Sequence, residues 1–266
     1  MKGLWITYDD RMKPDIAIYY CHGGGFSMGS SYFYLEFLLA WVSLLKEAGY
    51  QNPALFALEY TLVPDAMYPT QLQETIAGYD HLQSIMGDSS RICVGGDSAG
   101  ATLILSLLLH VAQYPDYMDR RPGLSVCISP WTTLLSPMNR NTPSDYLDAN
   151  TLHQYALQYT GTKALLGDPI ASPGTCKDRD WWARASPKKG FFLTFGSEEV
   201  FAPETWELIG VLKAAGVHTE VQEQEGSIHA WPVVALFLGD TKATRQKGMQ
   251  DIVDVIKRRM GEAGAA

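Results

Sequence analysis

The five residues Gly96-Asp97-Ser98-Ala99-Gly100 set a serine between two glycines, one two residues before it and one two residues after. That spacing suits a nucleophile held at the apex of a sharp strand-to-helix turn, where the flanking positions press against neighbouring backbone and a side chain would clash. The context fits, because an apolar strand-like run ends at Gly95 and a helical pattern opens at Ala99. A helix starting there also aims its positive end at any charge that develops beside Ser98. An ordinary glycine-rich turn would share the pattern, so these five residues alone do not decide.

A second stretch sharpens the reading. The apolar run 16–20 ends on His22-Gly23-Gly24-Gly25, and consecutive glycines give up more backbone entropy on folding than any other residues would. A serine that carries out acyl transfer needs hydrogen-bond donors aimed at the oxyanion of its tetrahedral intermediate. The N–H of Ala99 supplies one, and a loop without side chains lets the N–H groups of Gly24 and Gly25 supply the others. His22 is expected to hold that loop rather than to react. Chemistry of this kind also needs a base and an acid, and after a serine set in a strand-to-helix G-x-S-x-G turn they follow in the order acid, then histidine. Of the six histidines, His81 and His110 lie in helical patterns, His153 in a polar block, and His218 at the start of a strand. His229 alone follows a late strand on a loop, Gly226-Ser227-Ile228-His229, and is the expected base. The acid is expected on the exit loop of the strand 191–195, which reads Gly196-Ser197-Glu198-Glu199.

The elements that must position these residues are legible as an alternation. Strand-like runs fall at 16–20, 54–62, 91–95, 124–129, 191–195 and, more weakly, 218–224. Helical patterns fill most gaps, and the one at 99–113 is apolar nearly all round, the mark of a helix covered on most sides. Strands alternating with helices predict a mostly parallel sheet. Residues 133–188, polar and rich in proline, read as an insertion on top of that sheet. With 266 residues, 46% of them hydrophobic and 19% charged, the chain is expected to form one globular α/β domain over 1–266. A formal net charge of -8 without a basic run argues against nucleic acid. The longest apolar helical run is too short to span a bilayer, and no signal-peptide pattern opens the chain. Cys21, Cys93, Cys127 and Cys176 have no metal-like spacing and read as buried thiols. A cytoplasmic protein without metal or cofactor is expected.

Together the motifs resemble those of the hormone-sensitive-lipase-like carboxylesterases of the α/β-hydrolase fold. The resemblance rests on His22-Gly23-Gly24-Gly25-Phe26, on Gly96 to Gly100, on the segment Tyr60 to Pro69, and on Ser129-Pro130-Trp131 and residues 168–173, which fit the family's cap-bearing insertion. It implies hydrolysis of small carboxylic esters with short to medium acyl chains, by Ser98, Glu198 and His229, with Gly24, Gly25 and Ala99 as oxyanion hole. Glu198 stands where the family usually has aspartate, two residues after the turn glycine, and is favoured over Glu199 and Glu204. The resemblance also implies that the N-terminal part of the cap is cut short, since 21 residues precede His22. One side of the cleft should then be open, to be covered in a homodimer or to admit bulky esters. Lactone or thioester hydrolysis uses the same machinery. Small-ligand receptors on this fold lose the histidine that is present here as His229, and an interaction scaffold would not need the glycines.

Overall fold

The computed structural model describes residues 2–261. Its strands are β1 (Lys2–Thr7), β2 (Ile16–Cys21), β3 (Pro53–Glu59), β4 (Ile92–Asp97), β5 (Leu124–Ile128), β6 (Phe191–Gly196) and β7 (Thr219–Gln224). They form one sheet in the order β1-β3-β2-β4-β5-β6-β7. Every neighbouring pair is parallel except β1 with β3. The mostly parallel sheet is the expected one. Its first strand is not expected: β1 is a six-residue edge strand with no fully buried position, so the continuous apolar run that betrays a central strand is absent.

The helices are α1 (Leu35–Glu47), α2 (Thr70–Met86), α3 (Ala99–Val111), α4 (Ala149–Thr160), α5 (Arg179–Ala185), α6 (Ala202–Ala214), α7 (Trp231–Leu238) and α8 (Lys242–Met260). Two cores result, one on each face of the sheet. Side chains of α1, α7 and α8, among them Trp41, Val233 and Ile252, pack on one face. Those of α2, α3, α5 and α6, among them Leu82, Leu107, Trp182 and Leu208, pack on the other. Leu103, Ile104, Leu105, Leu107, Leu108 and Leu109 of α3 are all fully buried, so α3 is the covered central helix its composition predicts. Each such side chain contributes about 1.5–3 kcal/mol on leaving water. No helix among the described residues is long and apolar enough to cross a membrane.

The crossover that leaves β2 runs to β3 on one side and the crossover that leaves β4 runs to β5 on the other, so the strand order reverses between β2 and β4. Ligands of open α/β sheets bind in the crevice at such a reversal. Cys21, the last residue of β2, pairs with Gly96 near the end of β4. The glycine loop and Ser98 therefore leave the sheet side by side. Residues 133–188 hold no strand and carry two α-helices, with two short 3₁₀ turns between them. Of these, α4 lends Leu152 and Tyr155 to the wall of a cleft, whereas α5 packs against α3 and α6 with Trp182 fully buried.

Candidate active site

Ser98 sits at φ 52° and ψ -120°, a conformation that side chains rarely adopt. The turn closes through Ser98 N–H to the Ile128 carbonyl at 3.0 Å and Trp131 N–H to the Ser98 carbonyl at 3.2 Å. Both flanking glycines are sterically required. A β-carbon on Gly96 would lie 2.6 Å from the Cys21 carbonyl oxygen, and one on Gly100 would lie 2.5 Å from that of His22. Among the described residues, the non-glycine positions with positive φ are Phe26, Ser98, Ser129 and Ala230. Phe26 follows Gly25, Ala230 follows His229, and the Ser129 hydroxyl accepts the Ala230 N–H at 2.9 Å. Backbone strain is thus concentrated around one place, as at functional sites generally.

The glycine loop is folded on itself, with Ser27 and Met28 N–H on the Gly24 carbonyl at 3.1 and 3.0 Å. Gly24 and Gly25 have φ of 111° and 61°, values that favour glycine. Their N–H groups, and that of Ala99, meet no protein acceptor among the described residues. Asp97 anchors the loop from below. Its buried carboxylate accepts the Gly23 N–H at 2.8 Å and the hydroxyls of Tyr20 and Tyr34 at 2.6 and 2.8 Å. Burial pushes the Asp97 carboxyl above its ordinary range, and the two tyrosine hydroxyls pull it part of the way back. His22 stacks on Tyr60 with ring centres 4.4 Å apart, and its Nδ1 lies 2.7 Å from the Gly23 carbonyl oxygen.

His229 is 2% exposed, and its Nδ1 lies 3.1 Å from Oε2 of Glu199, also 2% exposed. The acid beside the histidine is therefore Glu199, not the expected Glu198. The cause lies in the backbone of the turn after β6. The Glu198 N–H bonds to the Ser227 carbonyl at 3.0 Å, and its carbonyl accepts the Thr142 hydroxyl at 2.6 Å. Its side chain stays half-buried, while the next residue, Glu199, is the one carried into the core. Burial raises the Glu199 carboxyl, opposed by its hydrogen bond to His229. Glu204 is occupied elsewhere, with the hydroxyls of Thr133 and Ser136.

Ser98, His229, Gly24 and Gly25 face one cleft of about 630 Å³, lined also by Leu152 and Tyr155 and by Phe33, Val233 and Phe237. A larger groove of about 750 Å³ between α1, α7 and α8 shares the last three residues but touches neither Ser98 nor His229. Ala99 opens α3 directly behind Ser98 and is fully buried. Tyr20, Tyr34 and Ser129 support this site without any signal in the sequence, because each reaches it through a contact tens of residues distant along the chain. All four cysteines are buried thiols.

A family model described as the alpha/beta hydrolase fold matches residues 18–233. The chain is 28% identical over 222 residues to an acetyl-hydrolase of Streptomyces hygroscopicus, covering 81% of this chain and 68% of that protein. It is 29% identical over 155 residues to the hormone-sensitive lipase of Mus musculus, covering 55% of this chain and only 19% of that lipase. Among solved structures, a hormone-sensitive lipase from a metagenome library superposes with a TM-score of 0.76 at 25% identity, over 92% of this chain and 77% of that one. With its serine turn, glycine loop and buried histidine–glutamate pair all at the carboxyl edge of such a sheet, the chain belongs to the hormone-sensitive-lipase-like carboxylesterases of the α/β-hydrolase fold.

Proposed function

We propose that this protein is a serine hydrolase that cleaves small carboxylic esters through an acyl-enzyme. The observation that carries the proposal is the buried Glu199–His229 pair opening on the same cleft as Ser98. In the mechanism, Ser98 Oγ attacks the ester carbonyl carbon while His229 Nε2 takes its proton, and Glu199 holds Nδ1 and balances the imidazolium. The N–H groups of Gly24, Gly25 and Ala99, with the positive end of α3, hold the oxyanion. His229 then protonates the leaving alcohol, and water, deprotonated by the same imidazole, releases the acid. A receptor on this fold would have no use for a histidine sequestered against a carboxylate beside the serine. The relative named acetyl-hydrolase supports short acyl chains. The segment 133–188, through α4, serves as the cap over the acyl group. Exposed apolar side chains at the rim, Phe33 and Phe237 above all, favour esters with a bulky part outside the cleft.

Ser98→Ala should remain folded and lose hydrolysis of p-nitrophenyl butyrate by roughly 10⁴- to 10⁶-fold. A folded Ser98→Ala protein that hydrolyses the ester at the unmodified rate would overturn the assignment.

A further inference from the structure

Glu199 and His229 stand on separate loops, one leaving β6 and the other leaving β7, yet their side chains must meet at 3.1 Å. A third segment ties the two backbones together. Asp145, between β5 and α4, accepts the His229 N–H at Oδ1 (3.2 Å) and the Val200 N–H at Oδ2 (2.9 Å). One tie is on His229 itself and the other on the residue directly after Glu199. Neighbours of Asp145 repeat the pattern. The Thr142 hydroxyl donates to the Glu198 carbonyl at 2.6 Å and accepts the Asp145 N–H at 3.1 Å. The Tyr146 hydroxyl donates to the His229 carbonyl at 3.3 Å, and its ring stands edge-on to the imidazole. Asp145 is buried, so water competes weakly for these bonds.

We propose that Asp145 is a positioning residue, whose carboxylate sets the spacing of the two loops so that His229 Nδ1 meets Glu199 Oε2. A carboxylate is required because two N–H donors arrive from different loops and each needs its own oxygen. Asparagine offers one oxygen and turns its NH₂ group toward the other donor, and alanine leaves both N–H groups unpaired in a buried place. The same strap continues into Leu147 and Asp148 of the cleft wall and then into α4. Contact between the substrate and that wall is thereby linked to the geometry of the acid–histidine pair. Only the kinetic consequence rests on the serine-hydrolase reading, since the bonds themselves do not.

The test compares wild type with Asp145→Asn by thermal melting, by kcat and KM on p-nitrophenyl butyrate, and by the far-downfield proton resonance of a carboxylate-bound histidine Nδ1–H. Asp145→Asn is expected to fold, to lose about 10²-fold in kcat, the scale of a small misplacement, with KM little changed, and to lose or broaden the downfield resonance. A wild-type kcat together with an unchanged resonance would overturn the proposal. Should Asp145→Asn fail to fold, Thr142→Val, close to isosteric, takes its place. A weakened resonance then supports the strap, and an unchanged resonance and kcat overturn it. A wild-type protein that shows the resonance but hydrolyses no ester would defeat the serine-hydrolase reading alone, leaving the resonance of the variants to decide the role of Asp145.

Discussion

Two adjacent glutamates on one turn meet opposite environments, and the proposed mechanism gives them different roles. Glu199 is buried against His229, whereas Glu198 is half-buried and bonds through its backbone to Ser227 and Thr142. Glu199→Gln should therefore cost about 10³- to 10⁴-fold in kcat, and Glu198→Gln should leave it near wild type. Steady-state kinetics of the two variants checks this, and the reverse pattern would return the role to Glu198. A second expectation follows from the raised Glu199 carboxyl. The unfolded chain releases this proton in the ordinary carboxylate range while the folded chain holds it to higher pH, so stability falls as pH rises between the two values. Glutamine carries no such penalty. Glu199→Gln should melt above wild type at neutral pH, with the gain shrinking toward about pH 4. A variant that melts below wild type at neutral pH would mean that the bond to His229 outweighs burial.

At the scale of elements, the site is the meeting of two strand ends held at backbone contact. Gly100→Ala would drive a methyl into the carbonyls of Cys21 and His22, both rigid backbone. The strand ends must part, so little soluble folded protein is expected, and expression followed by circular dichroism reads the result. A well-folded, active Gly100→Ala would contradict the close approach. Features of this local kind were legible in the sequence. The glycines at 23–25, 96 and 100 announce their turns because steric demand acts within a few residues, and α3 announces its burial by composition. Features set by distant partners were not legible. Which glutamate faces His229 depends on how Ser227 and Thr142 fix the Glu198 backbone, 29 and 56 residues away. Strand β1 depends on finding the free edge of β3, with only a half-buried face to show for it. Residues 133–188 read as one block in the sequence, and the separate contacts of α4, which lines the cleft, and of α5, which packs against α3 and α6, are not visible there.

At the scale of the whole molecule, the cleft opens onto an apolar rim. Phe33 and Phe237 of its lining are 64% and 60% exposed, unusual values for aromatic side chains at one mouth. Phe33 and Phe237 stack with ring centres 5.7 Å apart on the wall shared by the cleft and the neighbouring groove. A substrate long enough to leave the cleft meets this surface instead of water, and each CH₂ placed there is worth about 0.8 kcal/mol. Rates across a p-nitrophenyl series from acetate to decanoate should accordingly fall slowly with chain length. A sharp short-chain optimum would show that the rim takes no part in binding, and a dimer by size-exclusion chromatography would assign it to a second copy of the chain.

The most direct measurement of the central claim is to treat the protein with a fluorophosphonate and map the adduct by peptide mass spectrometry. The expected result is one phosphonylated residue, Ser98, with labelling absent in Ser98→Ala and strongly slowed in His229→Ala. Labelling of another serine, or none at all on a folded protein, would contradict the assignment of Ser98 as a nucleophile activated by His229 and Glu199.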